Sequence, residues 1–184
     1  ITWSLVGSEM CIRDRTIMVC DLTIGKEKWK SGWDIANKAL PICVKIMSRA
    51  GELADLDSDA FDDVMAAYRM PKGDENEIVM RKESIKKSSI VATEIPFETS
   101  KLALEILEIL PELALKGNGN AVSDVGVAGL LASAACKGAL FNVDINLSGL
   151  SDDVATDIRK ESPDILKMSR ALSRQIMDNV RERL

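Results

Sequence analysis

From residue 117 the chain reads GNGNAVSDVGVAGLLASAACKGALFNVDIN. A polar, glycine-broken turn leads into a run of Ala, Gly, Val and Leu without proline and without strand-like alternation. Between Val125 and Ala135 apolar residues cover every face, which predicts a helix buried on all sides. Val122 to Leu140 is therefore expected to be the most buried helix. Gly126, Gly129, Ala132, Ala135 and Gly138 keep its surface thin, so neighbouring helices can come close. Asn118 or Asn120 can cap its start, because an Asn side chain accepts a hydrogen bond from a first-turn amide. The length would suit a membrane span. Ser123, Asp124, Ser133 and Lys137 interrupt it, and the reading is the central helix of a soluble bundle.

The other segments carry helical periods as well. Ile17 to Ile24 reads as the end of a helix, stopped by Gly25. Ile35 to Leu53 is a second helix, with Pro41 in its first turns or at a kink. Ser58 can cap a third, in which Phe61, Val64, Met65 and Tyr68 form an i, i+3, i+4, i+7 stripe and Tyr68 is a core residue. Pro71 and Gly73 end it. Asp74 to Glu94 is charged and less regular, and its KESIKK run reads as a solvated face. Pro96 sits where a first-turn proline belongs. The helix that follows carries two adjacent apolar stripes, one through Leu102, Ile106, Ile109 and Leu113, with Pro111 as a kink. Ser151 can cap a short helix to Lys160, and Ser162-Pro163-Asp164 marks another start. Ile165, Met168, Leu172, Ile176, Val180 and Leu184 then form a stripe that either closes the bundle or meets another subunit. With no internal repeat, linker or strand run, a single all-α domain follows, a multihelical bundle.

Composition narrows the function classes. The net charge is −5 and no basic stripe stands out, so nucleic acid is not an expected partner. The chain has no histidine, which excludes Ser-His and Cys-His catalysis and His-ligated metal. The cysteines at 11, 20, 43 and 136 have no metal-ligand spacing. Cys43 and Cys136, in apolar helical contexts, read as small buried hydrophobes in a reducing, cytoplasmic setting.

Asp124 is the candidate for chemistry. A carboxylate in the first turn of a helix is favoured by the helix dipole, and that alone can explain it. The alternative is a partly buried acid in a pocket, a proton-transfer group. Ser123, Asn118 and Asn120 surround it in sequence with neutral hydrogen-bonding groups. Asn142, at the far end of the same segment, either binds a ligand or satisfies local backbone.

Three stretches together resemble the signature of the formiminotetrahydrofolate cyclodeaminase and methenyltetrahydrofolate cyclohydrolase family: LTIGK at Leu22 to Lys26, DAFDDVMAAYRMPK at Asp59 to Lys72, and the segment from Gly117 to Leu147. Their order and spacing match, and the resemblance covers Met18 to Leu150. It implies an enzyme of folate one-carbon metabolism that closes 5-formiminotetrahydrofolate to 5,10-methenyltetrahydrofolate with release of ammonia. The alternative is the cyclohydrolase, in which water adds to methenyltetrahydrofolate. Either reaction needs a proton shuttle, for which Asp124 is the expected group, and neither needs a metal or organic cofactor. The resemblance implies a tetrahydrofolate derivative as substrate, a homodimer, and no nucleic-acid or membrane partner. The expected substrate-binding residues are Lys26, Asn118, Asn120, Ser123 and Asn142. Lys26, beside Trp29 and Trp33, would suit a polyanionic glutamate tail, or is a solvated surface charge. A helical scaffold without catalysis is the reading from a different class.

Leu5 to Asp14, LVGSEMCIRD, resembles the translation of a sequencing adapter. Residues 1–15 are therefore expected to be a non-native, poorly packed tail, and 16–184 the helical domain. The glycine-rich segment that the family carries upstream is not present, which bears on whether this chain is active. Whether a formiminotransferase domain precedes it stays open.

Overall fold

Long stretches without a helix-ending signal become long helices. The computed structural model describes residues 2–184, with side chains for Cys11, Ile12 and Asp14 onward. In chain order the helices are α1 (Thr2–Thr23), α2 (Trp33–Arg69), α3 (Glu75–Lys116), α4 (Val122–Ser148) and α5 (Thr156–Arg181). Single 3-10 segments at Glu27–Gly32 and Gly119–Ala121 precede α2 and α4. No strand occurs among the described residues. α4 packs on α1, α3 and α5, while α2 packs on α1 and α3. One main core joins all five helices, with Leu107, Leu110 and Leu113 of α3 against Val122, Val125 and Ala132 of α4 at its centre.

α1 presents Ile12, Thr16, Val19, Cys20 and Thr23 inward, a helical period. The buried hydroxyls of Thr16 and Thr23 donate to the carbonyls four residues back, Ile12 and Val19, so they cost little inside the core. Ile12 lies within the segment expected to be loosely packed, yet it is buried, because it extends the same inward face by one turn. The side chains of residues 1–10 and 13 lie outside the described residues.

Helix boundaries depart from expectation at the prolines and at Ser58. The two helices expected on either side of Ser58 are one, α2, and Ser58 is exposed in its interior rather than a cap. Pro96, Pro111 and Pro163 lie inside continuous helices. Pro96 has no N–H for the carbonyl of Ala92. The Asn146 side chain of α4 donates to that carbonyl at 2.6 Å, so tertiary structure replaces the missing bond. Ser162, expected as a cap, is buried mid-helix and donates to the Ile158 carbonyl.

Tyr68 is exposed rather than core, as is Phe61. Both lie where α2 and α3 continue past the other helices, so nothing arrives to cover them. The stripe on α5 closes the bundle through Ile165, Ile176 and Val180. Nearly half of the α4 residues are buried, but the helix is not covered on all sides. Val127, Leu130, Phe141 and Ile145 form a surface line along it, the last three 54%, 64% and 67% exposed. Gly119–Ser148 is long and apolar enough to cross a membrane by length and composition, and over half of its apolar window is buried in the bundle.

Candidate functional site

The site is built where chain ends of helices converge. α1 stops at Thr23, and Gly25 turns the chain with φ +74, a left-handed conformation that glycine adopts without strain. α3 stops at Lys116, where Gly117 donates to the Leu113 carbonyl. The turn Gly117–Asn120 then leads into α4. Asn118 organises this turn. Its side-chain oxygen accepts from the Asn120 amide at 2.9 Å, its side-chain nitrogen donates to the Leu22 carbonyl at 2.8 Å, and its backbone amide donates to the Thr23 hydroxyl at 2.9 Å. Two of the resembled stretches, LTIGK and GNGN, are thereby tied into one structure.

Glycine is required here by close approach. A Cβ on Gly32 would overlap the Lys116 carbonyl, and one on Gly119 would sit 2.9 Å from the Trp29 ring. Arg183, beyond the end of α5, closes the same turn by donating to the carbonyls of Ala114 at 2.6 Å and Gly117 at 2.9 Å.

Asp124 lies in the first turn of α4, behind this turn. No side chain caps the helix at Ala121, so first-turn amides and the positive end of the helix dipole remain to favour an anion. The Asp124 carboxylate is one-quarter exposed and forms an ion pair with the guanidinium of Arg15. Sequence reasoning had no signal for that partner, which stands 109 residues away. Ser123 and Asn120 are exposed beside Asp124, and Lys26 is exposed on the turn after α1.

Of the residues singled out from sequence, the structure gathers Lys26, Asn118, Asn120, Ser123 and Asp124 at one end of the bundle. Asn118 is buried with both ends of its amide engaged by the protein, so its part there is to shape the turn. Asn142 is half-buried on the same helix as Asp124, roughly 27 Å along its axis. The stretch Asp59–Lys72 lies at the opposite end, where it lines a cleft of about 330 Å³ between α2 and α3 with Ala60, Asp63 and Ala67. Sequence reasoning also passed over Thr23 and Arg183. Thr23 lay within LTIGK, but Arg183 had only its charge to mark it.

The thiols take no part at this end. Burial pushes the Cys20 thiol up to about 12 and that of Cys136 up as well, which keeps both protonated and inert. Among the described residues no group of three or more His, Cys, Asp or Glu side chains converges.

An all-α bundle with one carboxylate at the mouth of its central helix, behind an Asn- and Gly-rich turn, defines a class of protein that could move protons without histidine. The profile of the formiminotransferase-cyclodeaminase family matches residues 15–163, and the chain belongs to that family. It is 34% identical to a methenyltetrahydrofolate cyclohydrolase of Methylorubrum extorquens, over 91% of this chain and 81% of that protein. It is 28% identical to the formimidoyltransferase-cyclodeaminase of Rattus norvegicus over 74% of this chain, and spans only 25% of that longer protein. The crystal structure of formiminotetrahydrofolate cyclodeaminase from Thermotoga maritima superposes with a TM-score of 0.77 over all of this chain and 85% of its own, at 23% identity, a likeness of fold.

Proposed function

We propose that this chain hydrolyses 5,10-methenyltetrahydrofolate, with Asp124 as the proton-transfer group. The observation that carries the chemistry is the position of Asp124: a part-exposed carboxylate in the first turn of α4, with Ser123 and Asn120 beside it. In the reaction, water forms a bond to the bridging carbon and gives a proton to the carboxylate. The bond from that carbon to N5 then breaks, and N5 takes the proton from the same carboxyl. The remaining hydroxyl proton leaves to solvent as the formyl group forms on N10. Substrate is a cation, so one proton is released overall.

Two relatives order the readings. The one that shares most of its length with this chain is a cyclohydrolase. Cyclodeamination, the reaction expected first from the signature, is the second reading, supported by the bifunctional relatives. There N10 attacks the carbon of the protonated formimino group, the N10 proton passes to the carboxylate, and the departing amino nitrogen takes that proton as ammonia leaves.

A second copy of the chain belongs to this proposal. The exposed line on α4 supports it, because an apolar stripe of that length is costly to leave in water. A two-fold axis at Ala134 would set Val127 against Phe141. It would also set Leu130 against Gly138, where an added Cβ would meet nothing within 4 Å. Such a self-complementary face is what a two-fold interface requires. It would bring Asn142 of the second copy within about one turn of Asp124, which a single chain does not.

The assay follows methenyltetrahydrofolate absorbance with the purified chain, first as substrate and then as product from formiminotetrahydrofolate. Asp124→Asn keeps the size and should lower turnover about 100- to 10,000-fold. Near-full turnover in a folded Asp124→Asn variant would reduce the residue to a helix-dipole acid. Sedimentation should show two copies for the unaltered chain and one for Leu130→Glu. A monomer that binds lipid vesicles instead would assign the stripe to a membrane surface.

A further inference from the structure

We propose that Arg183 is a positioning residue for the first turn of α4, and through it for Asp124. The proposal rests on the acid–base reading of Asp124 given above. Arg183 lies past residue 163, where the family match ends, and nothing in the resembled stretches marks it.

Three observations meet at this side chain. The guanidinium donates to two carbonyls at the end of α3, those of Ala114 and Gly117. It lies over the Trp29 ring, 5.5 Å from its centroid, a distance at which cation and ring attract. Arg183 and Trp29 together press on Gly119, where an added Cβ would lie 3.2 Å from Nη2 and 2.9 Å from the ring. Asn118 holds the opposite side of the turn to Leu22 and Thr23. The turn is therefore gripped from both sides, and five residues beyond Gly119 the helix presents Asp124.

Docking of α5 does not need this clamp. Ile176 and Val180 are already in the core, and Asn179 donates to the Pro111 carbonyl at 2.9 Å. A guanidinium matches two carbonyls at once, and an ammonium does not reproduce that fork.

The test compares Arg183→Met, Arg183→Lys and Gly119→Ala with Arg181→Met, an exposed change on the same helix. Two readouts are taken. Amide hydrogen exchange at residues 118–125 should speed by about tenfold or more in Arg183→Met, while exchange at Ile165–Ile176 in α5 is unchanged. In the hydrolysis assay kcat should fall by about tenfold or more with KM within about twofold, because small displacements of a catalytic group act on the chemical step. Gly119→Ala should reproduce both effects, Arg183→Lys should restore them in part, and Arg181→Met should show neither. Loosening of α5 together with the turn, or kcat and exchange both within twofold of the unaltered protein, would overturn the proposal. If the unaltered protein shows no turnover, the hydrolytic reading fails by itself, and the exchange pattern still decides whether Arg183 places the turn.

Discussion

At one end of the molecule α1, α3, α4 and α5 all begin or end near Gly117, and Thr23 of α1 and Arg183, just past α5, bond to that turn. At the other, α2 and α3 run on together without the other helices. From Glu75 to Ala92, where Asn146 marks the end of α4, α3 extends by roughly 25 Å. The convergent end has Asn118, Thr23, Arg183 and three closely packed glycines. The hairpin end has a small core of Leu53, Ala60 and Ile95, an open cleft, and exposed Phe61, Tyr68, Val79 and Met80. Precision in this chain is concentrated where many backbones meet. The reason is that buried carbonyls and amides at helix ends must each find a partner, and those partners fix the geometry of whatever side chains stand there.

Glycine substitutions should separate the two kinds of region most sharply. Gly32→Ala places a methyl into the Lys116 carbonyl, which is backbone and cannot rotate aside. A loss of about 3 kcal/mol or more is expected, in line with overpacking at a rigid site, and read by urea denaturation. Retention of full stability would show that the convergent end is softer than its packing indicates.

Gly51→Ala is the opposite case. It stands mid-helix in α2 with nothing within 4 Å of an added Cβ. The change should stabilise the protein by roughly 0.5–1 kcal/mol through helix propensity. Destabilisation would show that the exposed side of α2 meets a partner in solution.

The smallest expected effect tests the base of the hairpin. Arg49 of α2 donates from Nε and Nη2 to the two carboxylate oxygens of Glu98 on α3, at 2.6 and 2.9 Å. These hydrogen bonds hold the Glu98 carboxyl below its ordinary value of 4.5. A depressed folded-state pKa contributes stability above the unfolded value and loses it as pH falls through the folded one. Glu98→Gln should therefore lower stability slightly and evenly from pH 8 to pH 5. The difference from the unaltered protein should begin to shrink as pH falls below about 4.5 and vanish below the lowered folded-state value. Both side chains are more than one-third exposed, so salt should weaken the difference as well. A difference that persists in strong acid would show that the carboxylate charge is not its source.

Much of this contrast could be read from residue order, and some could not. Helix identity came from period and composition, but the cap expected for α4 at Asn118 or Asn120 is not there. Asn118 caps the 3-10 segment Gly119–Ala121 and bonds to Leu22, and α4 starts from Ala121 without a side-chain cap. Asp124 was visible as an acid opening an apolar helix. The apolar content of α4 showed which residues tolerate burial, but not how many neighbours would arrive. Helices came to three sides, and Leu130, Phe141 and Ile145 stayed outside.

Sequence alone therefore determined what is local: an all-helical chain, a glycine- and asparagine-rich turn, and an acid in the first turn that follows it. Tertiary structure decided what depends on distant residues. It carried α3 through Pro96, because Asn146 takes the carbonyl that proline leaves unpaired. It paired Asp124 with Arg15 on the neighbouring helix α1. It also brought Arg183 onto the turn from the far end of the chain. Hydrogen-bond partners of this kind are set by which backbones meet in space, and no spacing in the sequence encodes that meeting.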